Sequence, residues 1–371
     1  MRFIVERLDP RAQAEDWLSS PPGPEQIHLL DYPFLFPQWA LVTHFRAINH
    51  FKMSQAFKEA RIRERLFTTM TSIYITKNTY DDLLRPLKRF HRHHFVLDIR
   101  RGHIYQDAMD QLWRRERREL LLPLRIRLGM DEGEVGVDHG GVQLEFFRMA
   151  MEEALNPDHG LFVTDPVTRM SWFQPCSQEP TYRFELLGLL VSLAIYNGVT
   201  LPVTFPLALY RKILGLQVDG LSHIRDGWVS LCKGLTELRD WTDGDVGDVF
   251  LRTYEFGTEA WGVPIYHDMT AVNGETNGSC KGKSVKRDNQ DAGKSESRKR
   301  SFIKSPSAGA TESRLVTNRN REQYIRDYIS WLTDISIRPQ YEAFARGFST
   351  CFEARTLSVC VTSLHAPVSL N

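Results

Sequence analysis

Cysteine is scarce in this sequence: Cys176, Cys232, Cys280, Cys351 and Cys360 are odd in number, widely scattered and without any CxxC spacing. That pattern argues against a secreted disulfide framework and against a zinc module. Net charge is also nearly absent. Lysine and arginine total 47 against 46 aspartates and glutamates, so no chain-wide electrostatic footprint exists for nucleic acid or an anionic membrane. Long apolar runs are missing too. The most apolar stretch, Phe184 to Tyr196, spans 13 residues and contains Glu185, short of the roughly 18 that a membrane span needs. It reads instead as a buried helix. The opening MRFIVERLDPRAQAEDW has charges every few residues and no apolar run of signal-peptide length. A cytoplasmic protein, with nuclear residence also open, is the expectation.

What is present is a hydrophobic content of 42% over 371 residues, enough for a sizeable core and two or three domains. After Pro-rich turns at Ser20 to Pro24, Leu41 to Met70 shows apolar residues such as Phe45, Ile48 and Phe51 at three-residue spacing, which predicts a helical extension over 1–94. From Phe95 the pattern becomes more regular. Val96 to Ile99 alternates like a short strand, and Ala108, Met109, Leu112 and Trp113 share a helical face. Gly136, Gly140 and Gly141 mark a loop before a helix over Val142 to Leu155, which Asn156-Pro157 stops. Leu161 to Thr164 and Arg169 to Phe173 flank Asp165-Pro166 as the two arms of a hairpin. Asn197-Gly198 offers a left-handed cap to the buried helix, and Pro206 suits the start of the next, which runs toward Gly215. The fold class predicted is mainly α with minor β (α+β). Between about 268 and 312 the composition turns to Gly, Ser, Asn, Lys and Arg, the signature of an insertion too poor in apolar groups to offset its ordering entropy.

Three segments then carry a family resemblance: GVDHGGVQLEFFRMAMEEALNPDHGLF (136–162), SWF (171–173) and LLGLLVSLAIYNGVTLPVTFPLALYRKILG (186–215). In order, spacing and residue type they resemble HECT-type ubiquitin ligases. The likeness runs from about Phe95 to Phe348. Upstream, DYPFLFPQWALVTHFRAINHFKMSQAF (31–57) is more loosely similar to the helical segment preceding that domain. The resemblance implies a large, mainly helical amino-terminal lobe over 95–357. That lobe recruits a ubiquitin-charged conjugating enzyme, and a smaller carboxy-terminal lobe holds an acceptor cysteine. Ubiquitin would pass from thioester to thioester and then to a substrate lysine. The partners implied are a ubiquitin-conjugating enzyme, ubiquitin and protein substrates. No cofactor, metal, nucleic acid or membrane is expected.

Leu231, Leu235, Leu238 and Trp241 fall on one helical face. By pattern alone such a stripe is ordinarily core. The resemblance aligns it, with Asp243 to Phe256, to the small subdomain (about 225–330) that grips the conjugating enzyme, which implies an exposed docking groove. Tyr324 and Tyr328 lie four residues apart, on one face, and aromatic anchors suit an interface. The expected docking set is therefore Leu231, Leu235, Leu238, Trp241, Phe250, Tyr324 and Tyr328.

The acceptor thiolate is harder to place. Cys232 sits in the docking helix, Cys280 in the insertion and Cys176 in a loop after the hairpin. Cys351, in Ser-Thr-Cys-Phe, has the family's flanking residues, a threonine before and a phenylalanine after. It follows directly on what reads as the last helix of the amino-terminal lobe, Tyr341 to Phe348, where a small buried thiol is the competing reading. The catalytic set is thus empty, and Ser358 to Asn371 departs from the family pattern. The expectation is a docking lobe that lacks its acceptor lobe, inactive alone; a non-catalytic adaptor that sequesters conjugating enzymes is the alternative.

Other signals are weaker. GSCKGKS (278–284) has Asn277 where a phosphate loop needs its first glycine, and no strand precedes it. His91, His93 and His94 lack a partner ligand at metal spacing and read as a solvated basic loop. Lys286-Arg287 and Arg298-Lys299-Arg300 fit a soluble insertion, a nuclear-localisation signal or an anion-binding tail.

Overall fold

A computed structural model describes residues 9–20, 27–74, 93–113, 115–129, 141–260, 263–271 and 314–359. Outside it lie most of the expected insertion with its basic pairs and GSCKGKS, the loop glycines Gly136 and Gly140, and His91, Cys280 and Cys360. The tail beyond Val359 also lies outside.

In chain order the elements begin with helices α1 (Pro10–Ser19) and α2 (Gln38–Tyr74), strand β1 (Phe95–Ile99), helices α3 (Ile104–Leu112) and α4 (Arg117–Leu120), and strand β2 (Leu124–Leu128). Next come α5 (Gly141–Ala154), the strands β3 (Phe162–Thr164) and β4 (Ser171–Phe173), α6 (Thr181–Tyr196) and α7 (Leu207–Ile213). The chain continues through α8 (Val229–Asp240), α9 (Val246–Phe250), β5 (Glu255–Ala260), β6 (Val263–Asp268), α10 (Arg321–Thr333), α11 (Arg338–Phe348) and α12 (Ala354–Ser358). Helices dominate and each sheet has two strands: β1 with β2 in parallel, β3 with β4 and β5 with β6 as antiparallel hairpins. No helix among the described residues is long and apolar enough to cross a membrane.

The chain forms two compact units, one of residues 1–174, 178–217 and 339–371, the other of 175–177 and 218–338. The first is built around α6, whose apolar residues surround the helix rather than striping it. Phe184, Leu187, Leu190, Leu193 and Ala194 are fully buried, as expected of a central core helix. Its end is set by Gly198 at φ 76°, where the Gly198 and Val199 N–H groups donate to the Ile195 and Ala194 carbonyls, a left-handed cap that glycine adopts without strain.

Two glycines determine how α6 meets α11. A Cβ placed on Gly188 would lie 2.0 Å from the Phe344 carbonyl oxygen, and one on Gly347 would lie 1.8 Å from that of Glu185. Backbone therefore rests on backbone, and Phe173 and Phe344 pack edge to face beside the crossing, 5.5 Å between ring centres.

Residues 9–74 belong to this same unit, so the boundary expected near residue 94 does not separate a domain. Ala14, Trp17, Leu30, Phe36, Leu41 and Ile48 form one buried cluster that is completed by Val359, from the far end of the described chain. Arg355 lies 4.2 Å over the Trp17 ring and donates to the Trp17 and Ser20 carbonyls. Glu353 pairs with Lys52 and Arg117, both at 3.2 Å. The divergent tail expected from residue 358 thus begins with a core residue. His93 and His94 are not a freely solvated loop either. Both rings pack on Phe57 at 5.2 and 5.3 Å, and His93 Nδ1 lies 2.8 Å from Glu64. Burial, then Arg125, pushes His94 down to about 4.

Candidate docking surface and the cysteines

The second unit is organised by α8 and α10. Cys232, Leu235 and Leu238 recur every three residues on α8, while Tyr324, Ile325, Tyr328, Ile329 and Leu332 recur on α10, so each helix presents one continuous apolar face. Aromatic rings fill the interior. Tyr324 packs against Tyr254 at 5.3 Å and Tyr328 against Phe256 at 5.2 Å. Phe256 and His267 both stack on Trp331. Tyr254 donates to Asp327 at 2.6 Å. Burial pushes the Tyr324 phenol up to about 12 and raises Tyr328 and Tyr254 as well.

These facts correct four members of the expected docking set. Leu235, Leu238, Tyr324 and Tyr328 are 1%, 2%, 0% and 8% exposed; they are core, not the lining of an open groove. On α10 the cover is the β5–β6 hairpin and its approach, which the sequence reading did not anticipate: Phe256, on β5, packs on Tyr328 and Trp331, and Tyr254 packs on Tyr324, while α8 buries its face against α10. Leu231, Trp241 and Phe250 remain half-buried.

The surface that is left is held from beneath. Arg321 donates to the Trp241 carbonyl at 2.6 Å, Asn318 donates to the Gly244 carbonyl at 3.2 Å and accepts from the Val246 N–H at 3.3 Å. Asp245 caps α9 through the Gly247 N–H at 2.9 Å. On this support Trp241 and Phe250 meet edge to face, 5.5 Å between centres. Beside them Val249 and Leu251 are 52% and 70% exposed. Leu251 has φ 46°, a left-handed conformation costing a non-glycine residue on the order of 1 kcal/mol or more. A large apolar side chain kept exposed at such a cost is a feature of binding sites. The sequence reading missed Val249 and Leu251. Their signal was the apolar triplet Val249-Phe250-Leu251, set in the run from Thr242 to Thr253 whose one other large apolar side chain is Val246.

The described cysteines are poor nucleophiles. Cys232 is buried, and its thiol points to the Leu221 carbonyl at 3.4 Å. Cys351 is 1% exposed; burial pushes its thiol up to about 11, and the Ser192 hydroxyl and Arg117 pull it back only in part. A thiol so placed is protonated at neutral pH and closed to an incoming thioester. Cys176 is disulfide-bonded. Among the described residues no cluster of His, Cys, Asp and Glu has the arrangement to hold a metal ion.

The family model for the HECT-domain (ubiquitin-transferase) matches residues 148–363, from within α5 through the whole second unit. The chain is similar to the probable E3 ubiquitin-protein ligase HERC3 of Homo sapiens, 27% identical over 326 residues, 87% of this chain and 26% of that protein. It is similar to human HERC6 at 25% identity over 334 residues, 90% of this chain and 27% of that protein. The likeness to HECTD2 of Mus musculus is 28% over 272 residues, 69% of this chain and 29% of that protein. The chain thus spans about a quarter of the length of the curated relatives it matches.

Proposed function

Because this chain belongs to the HECT-domain (ubiquitin-transferase) family, we propose that its second unit docks a ubiquitin-conjugating enzyme on the Trp241–Phe250 surface. In this reading the chain serves a ubiquitin transferase. Ubiquitin leaves the conjugating enzyme's thioester for an acceptor cysteine and passes from there to a substrate lysine. The observation that supports docking here is the half-buried Trp241–Phe250 pair with the strained, exposed Leu251 beside it. Tryptophan is among the side chains whose burial dominates protein interfaces, and apolar neighbours around it exclude water. Leu231 completes the set from α8.

The test is a titration of the purified chain against a panel of conjugating enzymes, repeated with Trp241→Ala, Phe250→Asp and Leu251→Ser. The expected result is binding that each substitution weakens at least tenfold, as hot-spot truncations do, with thermal unfolding unchanged. Unaltered affinity in all three variants would remove the surface from the proposal.

One observation favours a second reading, a non-catalytic adaptor that holds charged conjugating enzymes: Cys232 and Cys351 are buried, and Cys351 is held protonated. On either reading the acceptor thiol is neither of these two.

A further inference from the structure

A cavity of about 310 Å³ opens in the first unit. One wall is a single face of α2, carrying Leu41, Val42, Phe45 and Arg46; the opposite wall is Val191 and Ile195 of α6. The segment from Gly198 to Phe205 closes a third side. That segment is fixed rather than draped. The Gly198 turn ties its start to α6 through the Val199 N–H. Its end is held by the Thr204 carbonyl, which accepts from the Ser171 N–H at 3.0 Å, and by Phe205, packed on Phe162 at 5.9 Å. The site is therefore preformed, and its volume falls at the lower end of small-ligand pockets.

Its chemistry is lopsided. Leu41, Val191 and Phe205 make the floor buried and apolar. Among the described residues the one charged group in the lining is Arg46, exposed and without a partner among them, and the lining also includes the hydroxyl-bearing Thr200 and Tyr210. An apolar cavity with a lone guanidinium is complementary to a ligand with an apolar body and one anionic end, because the guanidinium matches a carboxylate in geometry as well as charge.

We propose that this cavity binds a small amphipathic monocarboxylate, its hydrocarbon between α2 and α6 and its carboxylate on Arg46. The site is independent of the docking reading, since none of its residues lies in the second unit.

The experiment is a methyl-NMR titration of the full chain with decanoate and, separately, with the decylammonium ion. Decanoate should shift the Leu41, Val42, Val191 and Ile195 methyls and bind about threefold to fivefold more tightly than decylammonium, the range set by one partly solvated ion pair. Arg46→Glu, a change at an exposed position, should reverse that order, and Val42→Trp at the rim should weaken both probes. Equal binding of the two probes, an order unchanged in Arg46→Glu, or no shift at all would overturn the proposal. So would shifts that follow protein concentration without a probe, which would give the cavity to a second copy of the chain.

Discussion

The α6–α11 crossing and the Trp241–Phe250 surface both depend on unusual backbone, but for opposite ends. At the crossing, glycine lets two helices approach until a Cβ would overlap a carbonyl oxygen, and Phe344, Phe348 and Leu189 beside it are buried. At the surface, a leucine takes a conformation that suits glycine and remains 70% exposed. In the first case local freedom is used to gain packing; in the second, local strain is tolerated with no packing in return. The contrast separates a residue that serves the fold from one whose exposure and strain the fold does not explain.

The comparison breaks most severely at the glycines. Gly188→Ala and Gly347→Ala should each cost about 3 kcal/mol or more, because the clashing atoms are backbone and cannot rotate away. Urea unfolding would measure this, and a loss below about 1 kcal/mol would mean the helices can slide apart. Next in size are the buried aromatics of the second unit. Tyr324→Ala should cost about 3 kcal/mol and abolish conjugating-enzyme binding together with the unit's cooperative unfolding. Phe250→Asp should abolish binding and leave unfolding unaltered. If the two variants behave alike, core and surface have not been correctly separated.

A smaller effect is expected where Glu353 joins Lys52 and Arg117. Burial alone would raise this carboxyl, but the two cations outweigh it and hold it below the usual carboxylate range. A depressed folded-state value means the contribution is complete above the unfolded carboxylate pKa, roughly 4.3, and fades as pH falls through the lower folded value. Glu353→Gln should therefore lower the midpoint of unfolding slightly at pH 7, and the gap from the parent should narrow in acid. A gap that widens in acid would contradict the assigned charge state. Smallest of all, Cys351→Ala should leave conjugating-enzyme affinity unchanged, and iodoacetamide should reach Cys351 only after unfolding, as peptide mapping would report.

Much of this was legible in the residues. β1, the β3–β4 hairpin, α5, α6 with its Asn197-Gly198 end, and α7 after Pro206 each carry period, cap and stop signals within a few positions of one another, so local chemistry alone locates them. The parallel partner β2 was not legible, because Leu124 to Leu128 finds its pairing only through a neighbour about thirty residues away. The candidate site was legible in part. Periodicity showed that Leu235 and Leu238 share one face and Tyr324 and Tyr328 another, yet a face does not say what covers it, and β5–β6, which covers Tyr328, lay mostly between the segment aligned to the small subdomain (243–256) and the insertion from about 268, where no element was read. Trp241 and Phe250 stayed at the surface because each follows or ends a short helix whose apolar face is already occupied by Leu238 or Val246. Nothing in the pattern near residue 94 or 358 announced that Val359 would complete the core begun by Ala14 and Trp17, since that contact spans nearly the whole chain.

The most direct test of the account is a discharge assay. The chain is incubated with a ubiquitin-charged conjugating enzyme, and thiol-sensitive adducts are resolved on a non-reducing gel beside Phe250→Asp and Cys351→Ala. The conjugating enzyme should be bound, Phe250→Asp should abolish the binding, and no adduct should depend on Cys351. An adduct lost in Cys351→Ala, or binding indifferent to Phe250→Asp, would contradict it.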